Sequence, residues 1–342
     1  MDLHKAPGRR GTWGTRLSAW RPEDLLDGGA HVVECDAATV RALAGGLPER
    51  ARLTADPGTL REVRGTAAPL LSRIADDIAA RLDATGPGLA LVDGEGLSDL
   101  TDGQLSSLVF GISVLLGRPV PQNRERELVV PVLDEHPADV ERARGYRTNG
   151  RMLMHTDPTD VAGLLCLRES DTGGESLYAS SGAVLDELST AAPDLVHCYF
   201  SPWHWDLRGM QRVGADRIVR SPIFGVSRGV LSCRYGSLLV REGMRRIGSL
   251  DTPAVAALDL FEEAARQPHL VLRLRLGRGQ SIWLNNHRVL HGREAFKDDN
   301  GTGRVRHLLR TWIWSNEPPP LPPGFLAFCN AIDAEVPAGP LG

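Results

Sequence analysis

The chain contains 342 residues, of which 42% are hydrophobic, and this is enough for a large core that needs neither disulfides nor structural metals. Its net charge of −4 gives no reason to expect nucleic acid or an anionic membrane surface as a partner. The five cysteines are widely scattered and form no CxxC pair, which is typical of reduced thiols in a cytoplasmic protein.

The N-terminal part of the chain predicts an arm, a helix and a buried strand. Residues 1–30 are rich in Gly, Arg and Pro and contain no apolar leader, so we expect a partly disordered arm there. Apolar residues repeat at a spacing of three to four over 68–83 and predict a helix, whereas 88–92 predicts a short buried strand. The chain contains no apolar run of about 20 residues, and we therefore expect no membrane-spanning helix.

A second helix and an irregular segment come before the middle of the chain. Thr101 and Gln104 form a capping box that opens a helix reaching to about Leu116. Residues 119–150 are polar and rich in proline, and a segment of this length is a candidate lid. We expect residues 31–342 to form one domain that includes this lid.

Short strands dominate from residue 152 onward. Two predicted helices, 182–190 and 253–266, interrupt them, and the second is expected to have Thr252 as its N-cap and Pro253 as its first residue. Many short strands separated by turn residues predict a mainly β sandwich or jelly roll with flanking helices, rather than a parallel α/β sheet. The predicted strands are 161–168, 175–179, 195–200, 229–235, 270–276, 280–285 and 305–314.

One short motif carries side chains of the types that bind metal ions. His155 and Asp157 are two residues apart in an extended stretch, so both side chains point to the same side. His291 would complete a set of two histidines and one carboxylate, which holds divalent iron on one face and leaves positions open for substrate. Zinc accepts the same donors and is the rival metal.

Four sequence segments together resemble a known family. In their combination and order the chain resembles the iron(II)- and 2-oxoglutarate-dependent dioxygenases of the taurine dioxygenase and clavaminate synthase group, the TauD/TfdA family, over roughly residues 145–315. The segments are His155-Thr156-Asp157, Gly173-Gly174-Glu175-Ser176-Leu177-Tyr178, Asn286-His287-Arg288-Val289-Leu290-His291-Gly292-Arg293 and Arg306-His307-Leu308-Leu309-Arg310.

The resemblance implies a fold, a metal and an oxidant. The implied fold is a double-stranded β-helix, a jelly-roll core with flanking helices. The implied ligands of iron(II) are His155, Asp157 and His291, with dioxygen and 2-oxoglutarate as co-reactants. Halogenating relatives replace the carboxylate by glycine or alanine, and the presence of Asp157 therefore disfavours halogenation.

The resemblance also implies roles for three residues that bind organic acids. The far carboxylate of 2-oxoglutarate needs a fixed cation, for which the planar fork of arginine is suited. Arg306 matches the position that holds this carboxylate, and Ser176 matches a hydroxyl that donates to the same cosubstrate. Arg310 matches a position that in several relatives reaches an acidic group on the primary substrate. The alternative is a solvated stripe of arginines on an edge strand, which would include Arg304.

Other polar residues near these motifs allow two interpretations each. Asn286, His287 and Arg293 are candidates to support the metal ligands, although a turn between His287 and His291 would point His287 elsewhere. Two indoles and an acid in residues 203–206 predict either a substrate mouth, in which Asp206 contacts a cationic group, or ordinary loop packing.

These features favour one function and leave two alternatives. The favoured function is hydroxylation of an unactivated C–H bond in a small polar substrate, such as an amino acid or a derivative, that bears a carboxylate or another acidic group. The same scaffold can serve a desaturase or a cyclase, depending on how the substrate lies. A jelly-roll protein that binds a metal or ligand without turnover is the alternative from a different class.

Overall fold

A computed structural model describes residues 18–48, 57–122, 126–135 and 147–332. Most of the expected N-terminal arm lies outside the described residues. Its last part is anchored, because Trp20 is fully buried and its indole donates to the carbonyl of Pro87 at 2.8 Å. Among the described residues, none of the helices combines the length and the hydrophobicity that a membrane span requires.

Strands form the centre of the molecule, and most of them are short. The longest, β6 and β17, lie side by side and antiparallel. The strands are β1 (Val32–Glu34), β2 (Leu89–Asp93), β3 (Gly117–Pro119), β4 (Val129–Val132), β5 (Met152–His155), β6 (Val161–Arg168), β7 (Thr172–Gly173), β8 (Ser176–Ser180), β9 (Trp203–Asp206), β10 (Ile218–Ser221), β11 (Phe224–Ser227), β12 (Val230–Cys233), β13 (Leu272–Leu274), β14 (Ser281–Asn285), β15 (Val289–Arg293), β16 (Phe296–Lys297) and β17 (His307–Ser315).

Two sheets enclose the core. The larger sheet has the order β1-β2-β14-β6-β17-β3, with β4 also paired to β17, and the smaller sheet has the order β13-β8-β15-β5. A turn at residues 286–288 carries the chain from β14 in one sheet to β15 in the other. Side chains such as Leu284 and Leu308 from the larger sheet meet Tyr178 and Leu272 from the smaller one. This arrangement confirms the predicted jelly roll.

Helices cover the outer faces of the sheets. α3 and α4 pack against the face of the larger sheet that carries Leu309 and Ile313, so both faces of β17 are buried. A second apolar cluster joins α5 and α8 to the smaller sheet. The helices are α1 (Pro22–Leu26), α2 (Ala37–Gly46), α3 (Pro57–Leu82), α4 (Asp102–Leu116), α5 (Ser181–Ala191), α6 (Val196–Phe200), α7 (Ser237–Arg246), α8 (Thr252–Ala264) and α9 (Pro323–Ile332).

The capping box that opens α4 is confirmed, whereas two other local predictions are wrong. The strand predicted at 195–200 is the short helix α6, in which Tyr199 is the one fully buried residue and donates its hydroxyl to the carbonyl of Ala257 at 2.8 Å. Tertiary contact therefore outweighs the strand propensity of this apolar run. The N-cap of α8 is Asp251 rather than Thr252, because the Asp251 carboxylate accepts from the Ala254 amide at 3.0 Å.

Candidate metal centre

The predicted metal ligands lie on two adjacent strands of the smaller sheet. His155 ends β5, and its Cα pairs directly with that of His291 on β15. Directly opposed residues of antiparallel strands project to the same face, so the two imidazoles approach each other. Asp157 follows two residues after His155, just beyond the end of the strand. The pairing of β5 with β15 therefore brings these side chains together.

The geometry of the three side chains is compact. The donor atoms of His155, Asp157 and His291 all lie within 4.8 Å of one another. His155 Nε2 is 3.8 Å from Asp157 Oδ1, and His291 Nε2 is 3.4 Å from Asp157 Oδ2. The two imidazole rings have their centroids 4.3 Å apart. One ion could therefore contact all three groups.

Hydrogen bonds orient two of the three ligands. The Nδ1 atom of His155 lies 2.8 Å from the carbonyl of Leu153, which directs Nε2 towards the site. The indole of Trp312 on β17 donates to Asp157 Oδ2 at 2.8 Å, and the side-chain oxygen of Asn286 accepts from the Asp157 amide at 3.2 Å. The sequence predicts such a supporting role for Asn286. It gives no such signal for Trp312, although this residue lies on the same strand face as Arg306 and Arg310.

The electrostatics of the site favour the protonation states that bind metal. Burial, as the main cause, and the charge of His291 together lower the pKa of His155 to about 4. Burial alone would raise the pKa of Asp157, but the hydrogen bond and charge of His291 and the charge of Arg310 hold it well below its usual range. A neutral imidazole and an ionised carboxylate are the forms that coordinate a divalent metal. Two histidine nitrogens and one carboxylate fit the donor set of ferrous oxygenases.

A buried arginine lies beside Ser176 in the same barrel. Arg306 immediately precedes β17 and is 5% exposed, and its Nη1 has no hydrogen-bond partner among the described residues. Burial is the main cause that lowers the pKa of this guanidinium. Ser176 and Cys166 line the same small cavity. A buried cation with an unused donor is suited to bind an anion.

The Gly173-Gly174 pair shapes this cavity. Both residues have a positive φ, +69° and +78°, which L side chains rarely adopt. A Cβ on Gly174 would lie 3.2 Å from Arg306 Nε and 3.2 Å from the Cβ of Phe296. The glycines therefore allow the backbone to pack directly against the guanidinium.

The third predicted acid-binding residue, Arg310, lies beside the metal centre. Its guanidinium lies over the Trp312 ring at 4.3 Å, and its charge lowers the pKa of both His155 and Asp157. Gln122 holds it in place, because the Gln122 side-chain oxygen accepts from Arg310 Nε at 2.8 Å and its amide donates to the Arg310 carbonyl at 3.0 Å. The sequence predicts a lid over the segment that contains Gln122 but gives no signal for this residue.

Two sequence candidates lie away from this constellation. Asp206 is fully buried, and both of its carboxylate oxygens are engaged, by Arg217 at 2.7 and 2.9 Å and by Arg246 at 2.6 Å. This carboxylate anchors β9 to its surroundings and has no oxygen left for a cationic substrate, so we correct its predicted role to a structural one. His287 lies in the turn before β15 and contacts Asp160 at 2.8 Å, away from His291.

Comparisons with known proteins agree with this geometry. Residues 55–312 match the sequence model of a family described as "Taurine catabolism dioxygenase TauD, TfdA family". The chain is 36% identical to FR-33289 synthase of Streptomyces rubellomurinus over 236 residues, which cover 67% of this chain and 69% of that protein. It is 26% identical to a uridine-5'-phosphate dioxygenase of an Amycolatopsis species over 245 residues, covering 65% and 83% of the two chains.

A solved structure shares the fold. The structure of asparagine oxygenase in complex with Fe(II), (2S,3S)-3-hydroxyasparagine and succinate superposes with a TM-score of 0.65 at 16% identity, covering 83% of this chain and 93% of that one. At this identity the likeness supports the jelly-roll architecture.

Proposed function

The chain belongs to the taurine catabolism dioxygenase TauD, TfdA family, and from this premise we propose that it hydroxylates an unactivated C–H bond of a small substrate that bears an acidic group. The enzyme is an iron(II)- and 2-oxoglutarate-dependent oxygenase. The observation that carries the proposal is the convergence of His155, Asp157 and His291 beside Arg310. The bound iron and cosubstrate supply the activation of dioxygen, with release of succinate and carbon dioxide.

The three converging side chains would hold the iron. His155 and His291 each offer a ring nitrogen, and Asp157 offers a carboxylate that Trp312 fixes. Zinc is disfavoured because a simple zinc site gives no role to the buried arginine next to it. The retained carboxylate disfavours halogenation, because halide would need that position.

Arg306 and Ser176 would hold the far carboxylate of 2-oxoglutarate. The support is the burial of Arg306, the unpaired Nη1 atom and the position of Ser176 in the same cavity. Charge-assisted hydrogen bonds are short and strong, and in this buried pocket they would fix the cosubstrate relative to the iron.

Arg310 would anchor the acidic group of the primary substrate. Gln122 fixes its Nε and Trp312 supports its flat face, so that the guanidinium is held next to the metal centre. An anchored acid limits the positions that the rest of a small molecule can take, which selects one C–H bond. We favour an amino acid or a derivative. Asparagine oxygenase holds a hydroxylated amino acid, whereas the name of the Amycolatopsis relative indicates a phosphate ester.

Desaturation or cyclisation remains the second candidate, because it would use the same residues with a different substrate orientation. Binding without turnover is disfavoured, because the family to which the chain belongs is described as a dioxygenase family.

A substrate panel tests the proposal. The full chain is incubated aerobically with iron(II), 2-oxoglutarate and, in separate reactions, amino acids, their N-acyl derivatives, sulfonates and nucleoside 5'-phosphates. We expect one class to stimulate succinate release and to gain the mass of one oxygen atom. Loss of two hydrogens would instead indicate desaturation or cyclisation. The His155→Ala variant should release no succinate, while normal succinate release by this folded variant would contradict the assigned site.

A further inference from the structure

One buried arginine of the barrel has no role in the proposed chemistry so far. Arg293 ends β15 and is 3% exposed. Its Nη2 donates to the carbonyls of Thr148, at 2.7 Å, and Gly150. Its Nε and Nη1 have no hydrogen-bond partner among the described residues. Unsatisfied donors on a buried charged group cost free energy, so this arrangement indicates a ligand that completes it.

Strand pairing places Arg293 next to the cosubstrate pocket. Its Cα partner on β8 is Ser176, and the next pair on the same face is His291 with Tyr178. Side chains of directly opposed residues project to one face, with Cβ atoms about 4.5–5.5 Å apart. Arg293 therefore projects to the side of the sheet that carries both the metal ligand and the cosubstrate serine.

Arg293 and Arg306 also share an aromatic neighbour. Their guanidinium carbons lie 4.8 and 5.2 Å from the centroid of the Phe296 ring. Within the described part of the chain, neither arginine has a carboxylate within salt-bridge distance.

Two neighbouring buried cations that have no salt-bridge partner among the described residues repel each other, and an anion between them would relieve this repulsion. An ionised carboxylate accepts about four hydrogen bonds. The planar fork of Arg306 and the hydroxyl of Ser176 together supply fewer than that.

We propose that Arg293 is a second cosubstrate-binding arginine, so that the far carboxylate of 2-oxoglutarate binds to Arg306 and Arg293 together. This inference rests on the proposed role of Arg306 and adds to it. Two arginines make the pocket selective for dicarboxylic 2-oxo acids, because a 2-oxo acid without the far carboxylate leaves both guanidiniums unpaired. Arg293 also holds the carbonyls of Thr148 and Gly150 just before β5, so the same side chain supports the strand that carries His155.

The test compares two 2-oxo acids on the manganese-loaded full chain. 2-Oxobutyrate has the chelating end of 2-oxoglutarate and lacks the far carboxylate. Dissociation constants for both acids are measured by calorimetry under nitrogen. For Arg293→Met we expect about a tenfold weaker binding of 2-oxoglutarate, equivalent to about 1.4 kcal/mol. Binding of 2-oxobutyrate should change by less than about twofold, because that acid makes no contact that the variant removes.

Two further variants frame the result. Arg306→Met should lose the preference for 2-oxoglutarate in the same way. Arg273→Met is the matched control, because Arg273 is an exposed arginine on β13 that pairs with Glu294 at 2.9 Å, and both dissociation constants should stay unchanged.

The outcomes separate the two proposals. Equal losses for both acids in Arg293→Met, or no loss for either, overturn the inference, since equal losses mean that Arg293 acts only by supporting the chain around Thr148. If Arg293→Met does not fold, Arg293→Lys is measured. We then expect a reduced preference for 2-oxoglutarate, and an unchanged preference overturns the inference. The proposed cosubstrate site itself is contradicted if the wild-type protein does not prefer 2-oxoglutarate to 2-oxobutyrate. It is also contradicted if Arg306→Met retains the wild-type preference.

Discussion

The hydrogen bond from Trp312 to the metal-binding carboxylate gives a direct test of how the site is built. Trp312→Phe keeps an aromatic ring under Arg310 but removes the indole N–H that donates to Asp157 Oδ2 at 2.8 Å. The acceptor is buried and ionised, so the loss should lower the free energy of unfolding by about 1.5–3 kcal/mol. The freed carboxylate is also less well oriented, and loss of such a supporting contact typically weakens metal binding about 10- to 100-fold.

Manganese(II) affinity and urea unfolding measure the two effects separately. The matched control is Trp205→Phe, because the indole of this fully buried tryptophan donates to the carbonyl of Ser221 at 2.8 Å, outside the metal centre. We expect the control to lose stability and to keep wild-type manganese affinity. If Trp312→Phe binds manganese as tightly as the control does, the indole does not position Asp157 and the reasoning is refuted.

Four further predictions concern the pocket, the supporting residues and the metal. Gly174→Ala should cost about 1–3 kcal/mol of stability and weaken 2-oxoglutarate binding, because a Cβ at φ +78° presses on Arg306. Thermal unfolding measures the stability and calorimetry the binding, and unchanged values would refute the close packing. Gln122→Leu should lower the urea stability by about 1–3 kcal/mol, since Arg310 Nε loses its buried acceptor, and an unchanged midpoint would count against this contact. Asp206→Asn should unfold more easily at neutral pH. Hydrogen bonds from the neighbouring arginines lower the pKa of Asp206 despite its burial. The contribution of this carboxylate to folding stability is therefore present above the unfolded pKa near 3.9 and is lost as the pH falls further. The difference in stability between the variant and the wild type should narrow in acid, and a constant difference would contradict the ion-pair account. Removal of metal by a chelator should abolish succinate release, iron(II) should restore it and zinc should not, and restoration by zinc would contradict redox chemistry at this site.

The sequence predicts those parts of the molecule that depend on periodicity and on local motifs. The two-residue spacing of His155 and Asp157 already places both side chains on one side, and short strand-like runs bounded by turn residues locate β6, β14 and β17 closely. The capping box at Thr101 is equally local and is present in the structure. These features need no knowledge of distant partners.

The parts that the sequence leaves open depend on pairing between distant segments. Trp312 meets Asp157 across 155 positions, and Gln122 meets Arg310 across 188, so neither contact has a local signal. Asp206 illustrates the opposite error, because its position between indoles suggests a substrate mouth, whereas Arg217 and Arg246 engage its carboxylate. Burial of charged groups is decided by such partners, which only the folded chain reveals.

The most direct test of the central claim is the visible absorption of the iron(II) protein on anaerobic addition of 2-oxoglutarate. Chelation of a 2-oxo acid to a ferrous ion that His155, Asp157 and His291 hold should produce a weak charge-transfer band that is absent with 2-oxoglutarate or iron alone. We predict this band for the wild-type protein and its loss in His291→Ala. A well-folded wild-type protein that shows no band, or a His291→Ala variant that retains it, would contradict the account.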